Sequence, residues 1–123
     1  MDAESLYKQA IDLEEKGKLP EALTIYSELT KVKEDPRFFI AYGVCLQKLG
    51  HWEQSVKELE KGISLKPHYC QGDARLFLAE SYVRINKIKK AIEQWKIVVN
   101  MKPEYPSYEH VPNEAKKMLA KYA

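Results

Sequence analysis

The sequence predicts an all-α fold of antiparallel helix pairs, about seven helices in all. Three observations predict it. GKLPEALTIYSEL from Gly17, GHWEQSVKELEKG from Gly50 and NKIKKAIEQWKIV from Asn86 align position by position. In each, a small residue (Ala22, Ser55, Ala91) is followed by Leu23, Val56 or Ile92, then by a large one (Tyr26, Leu59, Trp95). The residues Leu29, Gly62 and Val98 complete a stripe at i, i+1, i+4 and i+7, one face of a helix. The third observation is punctuation: Pro36, Pro67 and Pro103 fall in the breaks after these segments, where proline cannot continue a helix.

A second helical pattern precedes each aligned segment. Leu6, Ala10 and Leu13 predict a helix over 3–16, and the segment after Gly17 predicts one over 20–33. Phe39, Gly43 and Leu46 predict a helix over 37–49, followed by 53–65. Leu78, Ala79 and Tyr82 predict 73–85, followed by 88–100. Seven residues before each turn stands a small side chain (Ala10, Gly43, Ala79), and four before it a large one (Leu13, Leu46, Tyr82). Small residues let the paired helix approach, and large ones fill the space beside it. Gly17, Gly50 and Asn86 suit the left-handed position that ends a helix. A seventh helix near 112–122 carries Val111, Ala115, Met118, Leu119 and Tyr122 on one side and Lys116, Lys117 and Lys121 on the other. Such a helix covers the apolar face a terminal repeat would expose. The connector EYPSYEH, 104–110, is expected to pack its tyrosines.

The chain of 123 residues is long enough for one domain with a modest core. It is 45% hydrophobic and 31% charged, an ordinary soluble composition. No apolar run approaches the ~20 residues of a membrane helix, and MDAESLYKQA lacks the form of a secretory signal. With two cysteines and no disulfide framework, the expected location is cytoplasmic. The net charge of +2 hides a gradient: residues 1–35 carry 5 basic and 9 acidic side chains, and residues 86–123 carry 8 and 4.

The three aligned copies, with turn residues 33 and 36 apart, closely resemble the tetratricopeptide repeat. The resemblance covers residues 3–103 and implies a right-handed superhelical solenoid. The repeats would span about 3–35, 36–69 and 72–103, with a capping helix at 112–122, all in a single domain over 1–123. Ser55 stands where alanine is usual, Asn86 replaces the turn glycine, and Arg75 stands where a large apolar residue is expected. Residues 68–71, HYCQ, read as a short insertion.

The resemblance implies a binding module with no chemistry of its own. A partner segment would lie in a concave groove lined by the first helix of each pair. The groove positions are Glu4, Tyr7, Ile11 and Glu14; Arg37, Ile40, Val44 and Gln47; and Asp73, Leu76, Phe77 and Glu80. Family members that capture the acidic tail of cytosolic chaperones use a clamp of lysines, asparagines and an arginine. Tyr7, Ile11, Ala41, Asp73 and Phe77 occupy the matching positions, so a chaperone tail is not the expected ligand. An apolar or amphipathic protein segment is, with Glu4, Glu14 and Glu80 favouring flanking positive charge.

Other chemistries find little support. His68 and Cys70 are close, but His51 and His110 lie elsewhere, and no Cys-x-x-Cys or His-x-x-x-His pair exists, so neither metal nor cofactor is expected. Cys45 reads as a packed hydrophobe and Cys70 as a surface thiol. No nucleophile–histidine spacing or phosphate loop suggests catalysis. Glu14-Glu15 and Glu58/Glu60 read as solvated faces. Two further readings stand beside protein binding: self-assembly into a homo-oligomer through the acidic and basic ends, and weak nucleic-acid binding through NKIKKA and KKMLAKY. The low overall charge argues against the second. No membrane partner is expected.

Overall fold

Each turn between paired helices is the same structure built three times. Gly17 (φ 78°), Gly50 (φ 80°) and Asn86 (φ 63°) all adopt the left-handed conformation. In each, the next residue's N–H reaches back five positions: Lys18 to the Leu13 carbonyl (2.8 Å), His51 to Leu46 (2.9 Å), Lys87 to Tyr82 (2.8 Å). The turn residue itself bonds three back, to Glu14, Gln47 or Val83. These bonds satisfy carbonyls that a helix end leaves free. Asparagine substitutes for glycine because it tolerates this region better than most residues.

The computed structural model describes residues 2–67, 70–102 and 109–123. Among them are seven helices and no strand: α1 (Ala3–Glu15), α2 (Leu19–Val32), α3 (Pro36–Lys48), α4 (Trp52–Ser64), α5 (Gln71–Arg84), α6 (Ile88–Asn100) and α7 (His110–Tyr122). All begin within two residues of their expected starts. Five begin earlier than periodicity suggests: α2, α3 and α4 by one residue, and α5 at Gln71 and α7 at His110 by two. His68 and Pro103, with most of the 104–110 connector and its tyrosines, lie outside the described residues.

Helix starts follow local chemistry. The Asp2 carboxylate accepts from the Ser5 N–H (2.8 Å) and the Asp35 carboxylate from the Arg37 N–H (3.0 Å), capping α1 and α3. Pro36 opens α3, where its missing N–H costs nothing.

Each helix packs on the next, α1 on α2 through α6 on α7, and α7 also reaches α5. The small positions do what the repeat pattern requires. Ala10, Ala22, Ser55, Ala79 and Ala91 are fully buried at these crossings. At the α3–α4 crossing a Cβ on Gly43 would stand 2.6 Å from Leu59 Cγ, so only glycine fits without displacement. Two apolar clusters result. One, around Tyr26, Leu29, Phe38 and Leu46, joins α1, α2 and α3. The other, around Leu59, Leu78, Tyr82, Trp95 and Val98, runs from α4 to α7. Val111 and Ala115 of α7 are buried in it, and Tyr122 stacks on Trp95 at 5.4 Å between ring centroids, interplanar angle 25°. The last helix therefore covers the α6 end of this cluster.

Arg75, out of place for an apolar position, bridges instead. Its guanidinium donates to Gln94 Oε1 of α6 (2.7 Å) and, more weakly, to Gln71 Oε1 (3.4 Å).

Candidate partner-binding face

The first helices α1, α3 and α5 carry all the residues expected to line a groove. The structure separates them by exposure and by the partners they find, with Asp73 half-buried at the start of α5.

The first group stays accessible and apolar. Tyr7, Ile11, Ile40, Val44 and Leu76 are half-buried, and Phe77 is 37% exposed. The Tyr7 ring lies 5.3 Å from that of Phe38 and 6.3 Å from that of Tyr26, so one edge is anchored to the core. Ile40, Val44 and Leu76 likewise rest on the α4–α7 cluster.

The second group is charged but engaged within the chain. Arg37 forks onto Asp35 (Nε 3.2 Å to both oxygens, Nη2 2.7 Å to Oδ2) and also pairs with Glu4. Its guanidinium sits 5.2 Å from the Tyr7 ring centroid and 5.4 Å from that of Phe38. The bonds from Arg37 hold the carboxyls of Glu4 and Asp35 below their usual range. Glu14, expected as a solvated acid at the groove edge, is a correction. Its side chain is 14% exposed, it accepts from the Tyr26 hydroxyl (2.7 Å), and it pairs with Lys48 of α3. Burial, and then the bond to Glu14, push the Tyr26 phenol above its ordinary value.

Gln47, also expected in the groove, is a second correction. It is 7% exposed and turned into the α3–α5 contact. Its amide nitrogen donates to the Phe77 carbonyl (2.5 Å) and to Ser81 Oγ (2.6 Å). Ser81 donates on to Ser55 Oγ (3.1 Å), and Ser55 donates to the Gly43 carbonyl (2.9 Å). The unusual Ser55 is thus one link in a buried polar chain joining α3, α4 and α5.

Glu80 alone among the expected acids combines exposure with the absence of any ion pair among the described residues.

Two open pockets form along this face. One, of about 750 Å³, is bounded by Tyr7, Arg37, Ile40 and Ala41 and by Leu65 and Pro67 after α4. The other, of about 660 Å³, lies between α5 and α7. Leu76, Phe77 and Glu80 form one wall, Met118 and Tyr122 another, with Trp95 between. Ile11 and Val44 fall outside both. The contribution of α7 went unseen in the sequence, where Met118 and Tyr122 read only as a lid over the last repeat.

The expected inert cysteine is confirmed in position: Cys45 is fully buried, and burial raises its thiol to about 11. Glu58 is half-buried rather than solvated, and desolvation raises its carboxyl. Among the described residues no group of histidines, cysteines and carboxylates has the arrangement of a metal site, and no helix is long and apolar enough to cross a membrane.

This architecture is a tetratricopeptide-like helical solenoid. PcrH of Pseudomonas aeruginosa, solved with the chaperone binding region of PopD, is similar: 22% identity, TM-score 0.87, with 97% of this chain and 89% of that chain covered. The Yersinia enterocolitica type III secretion chaperone SycD, solved with a peptide of the translocator YopD, shares 19% identity at TM-score 0.87, covering 97% and 90%. MamA shares 16% identity at TM-score 0.77, covering 98% and 76%. At these identities the likeness shows the fold. No family model and no curated protein sequence matches the chain.

Proposed function

We propose that this protein is a non-catalytic binding module that takes an apolar or amphipathic segment of a partner protein along α1, α3 and α5. The observation carrying this reading is the row Tyr7, Ile11, Ile40, Val44, Leu76 and Phe77. The core leaves these side chains partly uncovered on the first helix of every pair. Each partner side chain buried there contributes roughly 1.5–3 kcal/mol before ordering costs. PcrH and SycD, which share the fold, were each solved with a partner's segment, and both are chaperones that receive it. That precedent favours a chaperone-like or adaptor role here. The exclusion of an acidic chaperone tail rests on Tyr7, Ile11, Ala41, Asp73 and Phe77 alone, and the neighbours add nothing to it.

The test compares the wild-type protein with Val44→Asp and Phe77→Ala variants in pull-downs from source-cell extract, with thermal melts as fold controls. A protein retained by the wild type and lost from both folded variants supports the reading. Equal recovery on all three overturns it.

Self-association is a second reading, favoured by a SycD structure described as an alternative dimer and by the opposite charges of the two ends here. A monomer at high concentration in low salt, where such attraction is strongest, argues against it.

A further inference from the structure

The two pockets differ in how their carboxylates are satisfied. Around the pocket beside α1 and α3, Asp35 is paired with Arg37, and Glu34 with Lys61 (3.0 Å). Around the α5–α7 pocket, Glu80 and Glu114 have no ion pair among the described residues. The one arginine on that wall, Arg84, lies 5.0 Å from the Trp52 ring centroid on α4, drawn to another helix. His110 is the remaining titratable side chain with a cationic form. The floor is apolar and aromatic, with Phe77 exposed and Trp95 stacked on Tyr122. A π-face favours cations as well as apolar groups.

We infer that the α5–α7 pocket takes a protein segment in which an apolar anchor is followed or preceded, within about one helical turn, by a lysine or arginine. The apolar side chain covers Phe77 and Met118, and the cation sits between Glu80 and Glu114. Charge complementarity sets this preference: two carboxylates on facing helices flank an apolar floor, and neither forms an ion pair among the described residues. This deepens the proposed function and rests on it. It makes the C-terminal end of the face the end that reads charge. The carboxylates of the other pocket are already paired within the chain.

The experiment selects peptides of roughly 16 residues from a random phage-displayed library on the full chain; that is about 24 Å if helical, enough to span the pocket. The wild type is expected to enrich peptides with lysine or arginine near an apolar residue. A Glu80→Lys, Glu114→Lys double variant of unchanged melting temperature should bind those peptides at least about fivefold more weakly, from the loss of two exposed pairs. The gap should narrow at about 0.5 M salt, where screening is strong. Equal binding by the double variant, or enrichment of apolar peptides without basic bias, overturns the charge-reading pocket. If Val44→Asp still abolishes that apolar binding, the proposed function stands without it. A wild type that enriches no peptide overturns both.

Discussion

Gln47 on α3 donates its side-chain amide to Ser81 Oγ on α5, 2.6 Å away, across a gap of 34 residues in sequence. This bond begins the polar chain that ends on the Gly43 carbonyl, and it joins the first helices of the second and third repeats directly. Both side chains are buried, so the loss of either leaves the other short of a partner. Ser81→Ala is expected to lower stability by about 1–2 kcal/mol in urea unfolding. A double-mutant cycle with Gln47→Ala should show coupling of about 0.5 kcal/mol or more. Additive effects would show that the two side chains act independently.

Gly62→Ala probes a second close approach between α4 and α3. An added Cβ would stand 2.7 Å from Ile40 Cγ1 and 3.2 Å from the Ile40 backbone nitrogen. The helix must shift, because backbone cannot rotate away. Overpacking of this kind costs about 1–3 kcal/mol, against roughly 1 kcal/mol gained from helix propensity. The expected outcome is a net loss of stability. A higher melting temperature would mean that the crossing yields easily.

The α7 cap depends on Tyr122 over Trp95. Tyr122→Ala removes a ring from the end of the α4–α7 cluster and should cost about 2–4 kcal/mol. Hydrogen exchange is expected to speed up first in α7 and α6, leaving α1 and α2 protected, since stacked repeats couple mainly to their neighbours. Uniform loss of protection along the chain would contradict this.

Asp35 links acid stability to the α3 start. Its carboxyl is held low in the folded state by the Arg37 side chain first and the Arg37 N–H second. Because the folded value lies below the unfolded one, about 3.9, this stabilisation is complete well above that value. It is lost as pH falls through the folded value. Asp35→Asn keeps an N-cap but removes the charge. The variant should therefore be less stable than wild type near neutral pH, and the difference should shrink on acidification. A constant difference down to the acid limit would show that the charge is irrelevant.

The sequence disclosed what repeats itself. Periodic apolar stripes located every helix, and Gly17, Gly50 and Asn86 marked turns that share their hydrogen bonds. The small residues at Ala10, Gly43 and Ala79 marked helix crossings. Contacts between distant residues were not legible. Glu14 lies beside Glu15 and looks solvated, yet Tyr26 and Lys48 enclose it. Gln47 occupies a groove position, yet its amide is drawn inward by groups on α5. The second pocket needed the angle at which α7 returns across α5, which no local pattern encodes. Arg75 and Ser55 stood out as departures, and each proved to be held by hydrogen bonds that the usual apolar residue would lack.

The most direct test of the central claim is calorimetric titration of a recovered partner segment into the wild type and into the Val44→Asp variant, with melting temperatures measured alongside. At least about tenfold weaker binding, from roughly 1.4 kcal/mol of lost apolar burial, is expected in a variant that remains folded. Unchanged affinity in the folded variant would place the partner elsewhere on the molecule and contradict a binding face along α1, α3 and α5.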